Sequence, residues 1–449
     1  MGEIFLSCDR EQGWLMPPSV QDWLPDGHLA FFVLDAVEQL DVDGFYAVYR
    51  STGNGRPAHD PRMMVGLLLY AYSVGELSSR QIERRCVEDV AFRVIAANRA
   101  PDHTTIARFR SRHDRLLADL FEQVLALCAK AGLVKVGKVA VDGTKVRANA
   151  GIGANRTYPK IREEVERLLA DAAEIDASED AQFGQARGDE VPPELVDRRA
   201  RRARRARLAQ AKRELEQEAQ ERQAAHQARV QEHREYRERT GRRKMGRQPA
   251  ATPPGPDPLA VGKRNITDPE SRIMSARGAL VQAYNAQAIV GDGQVILACE
   301  VTNQGNDHGQ LAPMHAAARQ NLDAIGITDP IKCLLADGSY WHSEQITQTR
   351  QTGTTVIIPT HDPHTENRKR KPRQGPEAER IERILNTAAG RKLYRRRAQI
   401  VEPVFAHIKH TRGITRFSRR GTDAARNEWA LIATTHNLLK LFRYQPQPT

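Results

Sequence analysis

Apolar positions recur along this chain with two different periods, and the change from one to the other marks out its elements. Up to about Lys135 the spacing is helical. After the polar loop from Ser51 to Pro57, Asp60 is suited to cap a helix with Pro61 at its first position, and Met64, Leu67, Leu68 and Tyr72 form its apolar side. Further helices are predicted from Ser78, from Asp89 and from Thr104, the last bringing Arg108, Arg110 and Arg112 close together. The period then shortens: Val136, Val139 and Val141 suit a buried strand that delivers Asp142, and Gly143 permits a turn after it. From Tyr158 to about Lys244 the chain is rich in Ala, Arg, Glu and Gln, which predicts long helices held partly by i,i+4 charge pairs; the Pro-rich stretch Pro249 to Pro258 ends them as a linker. Extended patterns return at Val281 to Val290 and Gln294 to Thr302, joined by a hairpin turn at Gly291-Asp292-Gly293. A helix from His308 to Gln320, a strand ending at Asp337, a helix from Ser343, a strand from Thr354 to Pro359 and a late helix bearing Val401, Val404, Phe405 and Ile408 complete the series.

These elements predict a mixed α/β fold: a mixed sheet with helices around it, an all-helical N-terminal domain, and a long helical insertion. The expected divisions are residues 1–135, a core built from 136–157 and 259–444, and an insertion at 158–258. With 449 residues there is enough chain for at least one sizeable core. Composition adds a direction. The formal net charge is +12, and nucleic acid is the commonest partner for such an excess, although an anionic membrane surface would also suit it. The N-terminus is acidic and short of an apolar signal core, and no run is long enough to span a bilayer, so a cytoplasmic protein is expected. Five scattered cysteines without Cys-x-x-Cys spacing argue against a zinc ribbon and against a disulfide framework.

The candidate chemistry rests on acids. Asp142 and Asp337 each end an apolar strand directly before a glycine, and Glu402 lies on the late helix with Lys409 two turns further on. Singly, each aspartate would pass for a turn residue and Glu402 for a surface helix residue. An acid at a strand end is costly to bury unless it is paired or binds a metal, and together the three carboxylates could hold a pair of magnesium ions.

These residues, with Asp60 to Met64, Pro101 to Arg110, Asn265 to Arg272 and Tyr284 to Gln287, resemble bacterial insertion-sequence transposases of the Asp-Asp-Glu type, in the group numbered 1182. The likeness covers most of the chain, and the order of the pieces is more specific than any one of them. It implies a ribonuclease H-like core in which Asp142, Asp337 and Glu402 are catalytic and ligate two Mg2+ ions, with Mn2+ as a substitute. It implies double-stranded DNA as partner, both element ends and target, no membrane, and a homodimer or higher assembly on DNA. The implied activity is cleavage at terminal inverted repeats followed by strand transfer; a nuclease without strand transfer and a non-catalytic DNA-binding regulator are the alternatives. Tyr394, Arg397, Glu402 and Lys409 resemble the family's Tyr-Arg-Glu-Lys signature, whose basic residues contact phosphates. Four residues separate Arg397 from Glu402, against three in the usual signature, which leaves Arg395 and Arg396 as alternatives.

Two further expectations concern the same helix. Proline suits only a first helical turn, so Pro403 predicts a helix that begins near Val401 or bends there. His407 has no matched partner for a metal and reads as a helix-surface or DNA-facing residue. In the N-terminal region, short helices with basic residues on the last fit a helix-turn-helix and a plain bundle equally well; the resemblance favours contact of Arg108, Arg110 and Arg112 with element-end DNA. The charged insertion reads as a solvated hairpin before it reads as a DNA clamp or dimerisation arm, because its heptad pattern is poor.

Overall fold

The computed structural model describes residues 19–49, 57–167, 198–242, 257–276, 278–360 and 373–444, together with positions 170, 249, 250 and 253. Residues 51–56, 171–197 and most of the Pro-rich stretch, for which a loop, part of the helical insertion and a linker were expected, lie outside these residues. Helices lead: α1 (Leu29–Glu38), α2 (Asp43–Tyr46), α3 (Pro61–Ser73), α4 (Ser79–Glu88), α5 (Val90–Ile95), α6 (His103–Arg112) and α7 (Asp114–Lys130). Their starts follow local chemistry. The Asp60 carboxylate accepts from the backbone N–H of Arg62 at 2.7 Å and of Met63 at 3.2 Å, with Pro61 contributing no donor of its own. Asp102 does the same for Thr104 and Thr105 at the head of α6.

The sheet is built from β1 (Lys138–Arg147), β4 (Arg272–Ala276), β5 (Ala279–Gly291), β6 (Ile296–Thr302), β7 (Cys333–Leu335) and β8 (Thr355–Ile357), while β2 (Asn155–Thr157) and β3 (Lys263–Asn265) form a separate pair. β5 lies in the interior: β1 runs antiparallel along one side, β4 and then β6 along the other. From Gln282 onward every residue of β5 is buried, which its small alanines and lack of charge allow. On its other side β1 pairs parallel with β7, and β7 parallel with β8. The order β6-β5-β1-β7-β8, with three antiparallel strands followed by two parallel ones, is that of a mixed, ribonuclease H-like sheet.

Helices α10 (Leu311–Ala324), α11 (Ser343–Gln351), α12 (Pro376–Leu385), α13 (Ala388–Ala406) and α14 (Thr422–Phe442) complete the core; between β2 and β3 come α8 (Arg198–Thr240) and α9 (Pro258–Val261). One continuous apolar cluster runs from α1 to α14, so the N-terminal helices and the sheet share their core. α14 is the common wall: it packs on α3 and α7 as well as on β6. Polar ties cross the same wall, with the buried Tyr72 hydroxyl donating to Glu428 at 3.1 Å. The α8 arm has a small cluster of its own, Ile161, Leu208, Ala211 and Leu215, bordered by Tyr158, Leu259 and Ile266. Arg264 and Arg272 hold its near half by ion pairs to Glu214 at 3.5 and 3.3 Å.

Candidate active site

Parallel pairing sets the geometry. Val139 and Ala140 of β1 stand opposite Leu334 and Leu335 of β7, so Asp142, inside β1, comes beside Asp337, which follows the end of β7. The strand end and turn expected at Asp142 and Gly143 do not form: both stay paired with β5, and β1 runs on to Arg147. Asp142 is largely buried. Its Oδ1 accepts from the N–H of Gly143 at 2.8 Å, and its Oδ2 accepts from Arg397 Nη1 at 3.0 Å. Asp337 caps the short 3-10 turn Gly338–Tyr340, accepting from Ser339 N at 2.7 Å and from Ser339 Oγ at 2.5 Å. The turn role that an Asp-Gly pair suggests is therefore real, and it fixes the carboxylate at the site. Glu402, on α13, is exposed, and Arg397 Nη2 lies 3.8 Å from its Oε1. Arg397 thus stands between the first and third acids.

The electrostatics follow from that crowding. Burial pushes the Asp142 carboxyl up to about 6; Arg397 opposes the rise and the charge of Asp337 adds to it. Any cation reaching these oxygens relieves a desolvated charge. Tyr394 stands half-buried beside Arg397, burial raising its phenol above the ordinary range. Lys409 Nζ donates to the Lys145 carbonyl of β1 at 2.8 Å. Among the described residues no three His, Cys, Asp or Glu side chains are gathered as a ready metal-ligand set. The donors nevertheless suit a hard divalent ion, being carboxylate oxygens alone at a sheet edge where Asp142 is buried beside a second acid.

Three expectations about these residues change. The α13 helix does not begin near Val401: it starts at Ala388, where Thr387 Oγ1 accepts from Gly390 N at 2.9 Å, and it runs through Pro403. Pro403 lacks the N–H that would bond the Gln399 carbonyl four residues back. Gln294 takes the place of that donor, its Nε2 donating to Gln399 O at 3.0 Å from the turn between β5 and β6. A π-helical turn, His407–Thr411, follows directly and carries Lys409. His407 is not a surface residue either: its Nδ1 lies 3.2 Å from Nδ1 of the buried His436, whose Nε2 donates to Gln294 O at 3.0 Å. Arg110 turns inward, donating to the Tyr72 hydroxyl at 3.2 Å, to Leu77 O at 2.7 Å and to Ser79 Oγ at 3.2 Å. Arg108 and Arg112 are exposed beside a cleft that Tyr49, His59, Thr105 and Phe109 also line.

Of the three consecutive arginines, Arg397 reaches Asp142, Arg396 pairs with Asp292 of the hairpin turn, and Arg395 is exposed. Sequence reasoning missed Asp307 and Lys145, which lie against the same edge. The lysine's place three residues after Asp142 was the one available signal.

Two family models match the chain: one described as Transposase domain (DUF772), over residues 18–112, and one described as Transposase DDE domain, over residues 359–442. These matches show a transposase of the DDE type. The first takes in α1 to α6; the second holds Glu402, Arg397 and Lys409, while Asp142 and Asp337 fall between the two. That family implies DNA binding, DNA cleavage and the use of divalent metal ions. No curated protein and no solved structure matches the chain. Among the described residues no helix of the transposase is long and apolar enough to cross a membrane.

Proposed function

We propose that this transposase, of the insertion-sequence group numbered 1182, cuts DNA at the terminal inverted repeats of its element and joins the freed 3′ ends to target DNA, with Asp142, Asp337 and Glu402 as its catalytic acids. The observation that carries the reading is the meeting of Asp142, within β1, and Asp337, just past the end of the adjacent β7, with Arg397, from the Glu402 helix, bonded to Asp142 at 3.0 Å. The three carboxylates would hold two Mg2+ ions, which when bound supply activation of the attacking oxygen and charge stabilisation of the leaving one. Water attacks the phosphorus at the element end and a 3′-hydroxyl leaves; that hydroxyl then attacks a target phosphodiester and displaces a target 3′-hydroxyl. Arg397, Tyr394 and Lys409 orient the phosphate at the acids, and Arg108 and Arg112 on α6 grip the DNA flanking it. An assembly of two or more protomers would bring two ends together.

The test uses end-sequence duplexes, supercoiled target and Mg2+. Asp142→Ala, Asp337→Ala and Glu402→Ala are each expected to lose cleavage by more than about a hundredfold while duplex affinity stays within a few-fold, because the basic surface is untouched. Wild-type cleavage by any one of them removes that residue from the site. Cleavage without joined products would leave a nuclease, and binding without cleavage a regulator.

A further inference from the structure

The stretch of sheet that carries Asp142 beside Asp337 has a second charged assembly on its other face. Side chains alternate along β1, so Gly143 and Lys145 project opposite to Asp142. Gly143 is paired with Gln287 and Lys145 with Asn285 of β5, which gathers these four positions on one face. Asp307, from the turn before α10, is laid against them. Its Oδ1 accepts from Asn285 Nδ2 at 2.8 Å and Gln287 Nε2 at 2.7 Å; its Oδ2 accepts from Ser339 Oγ at 2.8 Å. A Cβ added to Gly143 would overlap Asp307 Oδ1 and Gln287 Nε2, so this carboxylate fits only because the residue after Asp142 is glycine.

Two amide donors already satisfy Asp307 Oδ1, and the Ser339 hydroxyl, whose one hydrogen is shared between Asp307 Oδ2 and Asp337 Oδ1, lies against the other oxygen. Lys145 Nζ lies 3.8 Å from Oδ1, an ion-pair distance and not a hydrogen bond, so Asp307 holds the ammonium by its field and leaves the N–H groups for another acceptor. The Lys145 side chain keeps 15% of its exposure. Through Ser339, whose hydroxyl also lies 2.5 Å from Asp337 Oδ1, Asp307 is tied to the second acid of the site. An anionic strand approaching two aspartates is repelled unless cations flank them. Arg397 supplies one such cation, on the Asp142 face.

We propose that Lys145 is a second phosphate-gripping residue of the site, positioned by Asp307, so that a DNA phosphate at the Asp142–Asp337 edge is met by Arg397 from one face of the sheet and by Lys145 from the other. The inference rests on the phosphodiester reading above for its ligand. It assigns Asp307 a positioning role and Lys145 a direct contact.

The test measures binding of an end-sequence duplex by fluorescence anisotropy over a salt series, with Ca2+ as the divalent ion, for the wild type, Lys145→Met, Asp307→Asn, the double variant and Lys145→Arg. Asparagine keeps the size of Asp307 and can accept from Asn285 and Gln287 while its amide donates to Ser339, and thermal unfolding checks each fold. Lys145→Met is expected to weaken binding about five- to tenfold and to flatten the salt slope by about one. Asp307→Asn should do the same, the double variant no more than either single one, and Lys145→Arg should bind as the wild type. Unchanged affinity and slope in Lys145→Met overturn the contact, whatever cleavage does. Additive losses, or a wild-type slope in a folded Asp307→Asn, overturn the positioning. If Asp307→Asn does not fold, loss in Lys145→Met with recovery in Lys145→Arg upholds the grip and its absence overturns it. Wild-type protein that shows the grip yet cuts no duplex in Mg2+ refutes the phosphodiester chemistry and not the grip.

Discussion

Acid should unfold this transposase through a histidine that its fold keeps neutral. His436 of α14 is buried, donates from Nε2 to Gln294 O, and faces His407 across 3.2 Å between their Nδ1 atoms. That geometry needs one Nδ1 to carry a hydrogen and the other to accept it, which a neutral pair satisfies and a doubly charged pair does not. Burial holds the His436 imidazole down to about 3, with the nearby charges of Arg412 and Lys440 and the ring of His407 acting in the same direction and the bond to Gln294 against it. Burial, Arg412, Arg443 and Lys440 bring His407 down to about 4. Between these values and about 6.5 the unfolded chain binds protons that the folded chain does not, so stability is fully present above pH 6.5 and is lost as pH falls. Each pH unit is worth about 1.4 kcal/mol for one group, so His436 alone should lower stability by about 3 kcal/mol between neutral pH and about pH 4.5. The assay is urea unfolding followed by circular dichroism at both pH values, for the wild type and His436→Gln, whose amide still donates to Gln294. Subtracting the variant cancels the carboxylates. The variant is expected to lose about 3 kcal/mol less than the wild type on acidification; equal losses in the two proteins would refute the argument.

Two further outcomes follow from the geometry. Arg108→Ala and Arg112→Ala should each flatten the salt dependence of duplex binding by about one counterion with little change in stability, whereas Arg110→Ala should cost about 2–4 kcal/mol of stability by orphaning buried partners and leave the slope alone; urea unfolding and anisotropy separate them, and the opposite pattern would reverse the assignment of the three arginines. Thr157 and Lys263 are paired across β2 and β3, so a short Gly/Ser linker can replace residues 158–258 without strain. Calorimetry should then show one cooperative transition, with joining of two ends as the readout for the arm; loss of cooperativity would mean that the small cluster around Leu208 carries the fold.

Much of this protein is written locally. The Asp60-Pro61 helix start, the strand that carries Asp142, the turn from Gly291 and the strand before Asp337 each depend on neighbours within a few residues, and the structure has them, although β1 runs past Gly143 to Arg147 where a turn was expected. The order of the pieces, together with the family likeness, was enough to point to the mixed sheet and to its three candidate acids. Tertiary structure decided what lies between distant segments. Arg397 is separated from its partner Asp142 by 255 positions and Arg396 from Asp292 by 104, and no local pattern distinguishes one arginine of a run from the next. Pro403 stands inside the last turn of α13, and it is Gln294, on another hairpin, that bonds the carbonyl it leaves without a donor. Asp307 carries no motif of its own, yet β5 and the turn at Ser339 bring amides and a hydroxyl to it beside a glycine that leaves room. Sequence determines which backbone an isolated segment prefers, because that preference is a short-range energy. Which charge faces which depends on strand register and helix packing, and those are settled only when the whole core closes.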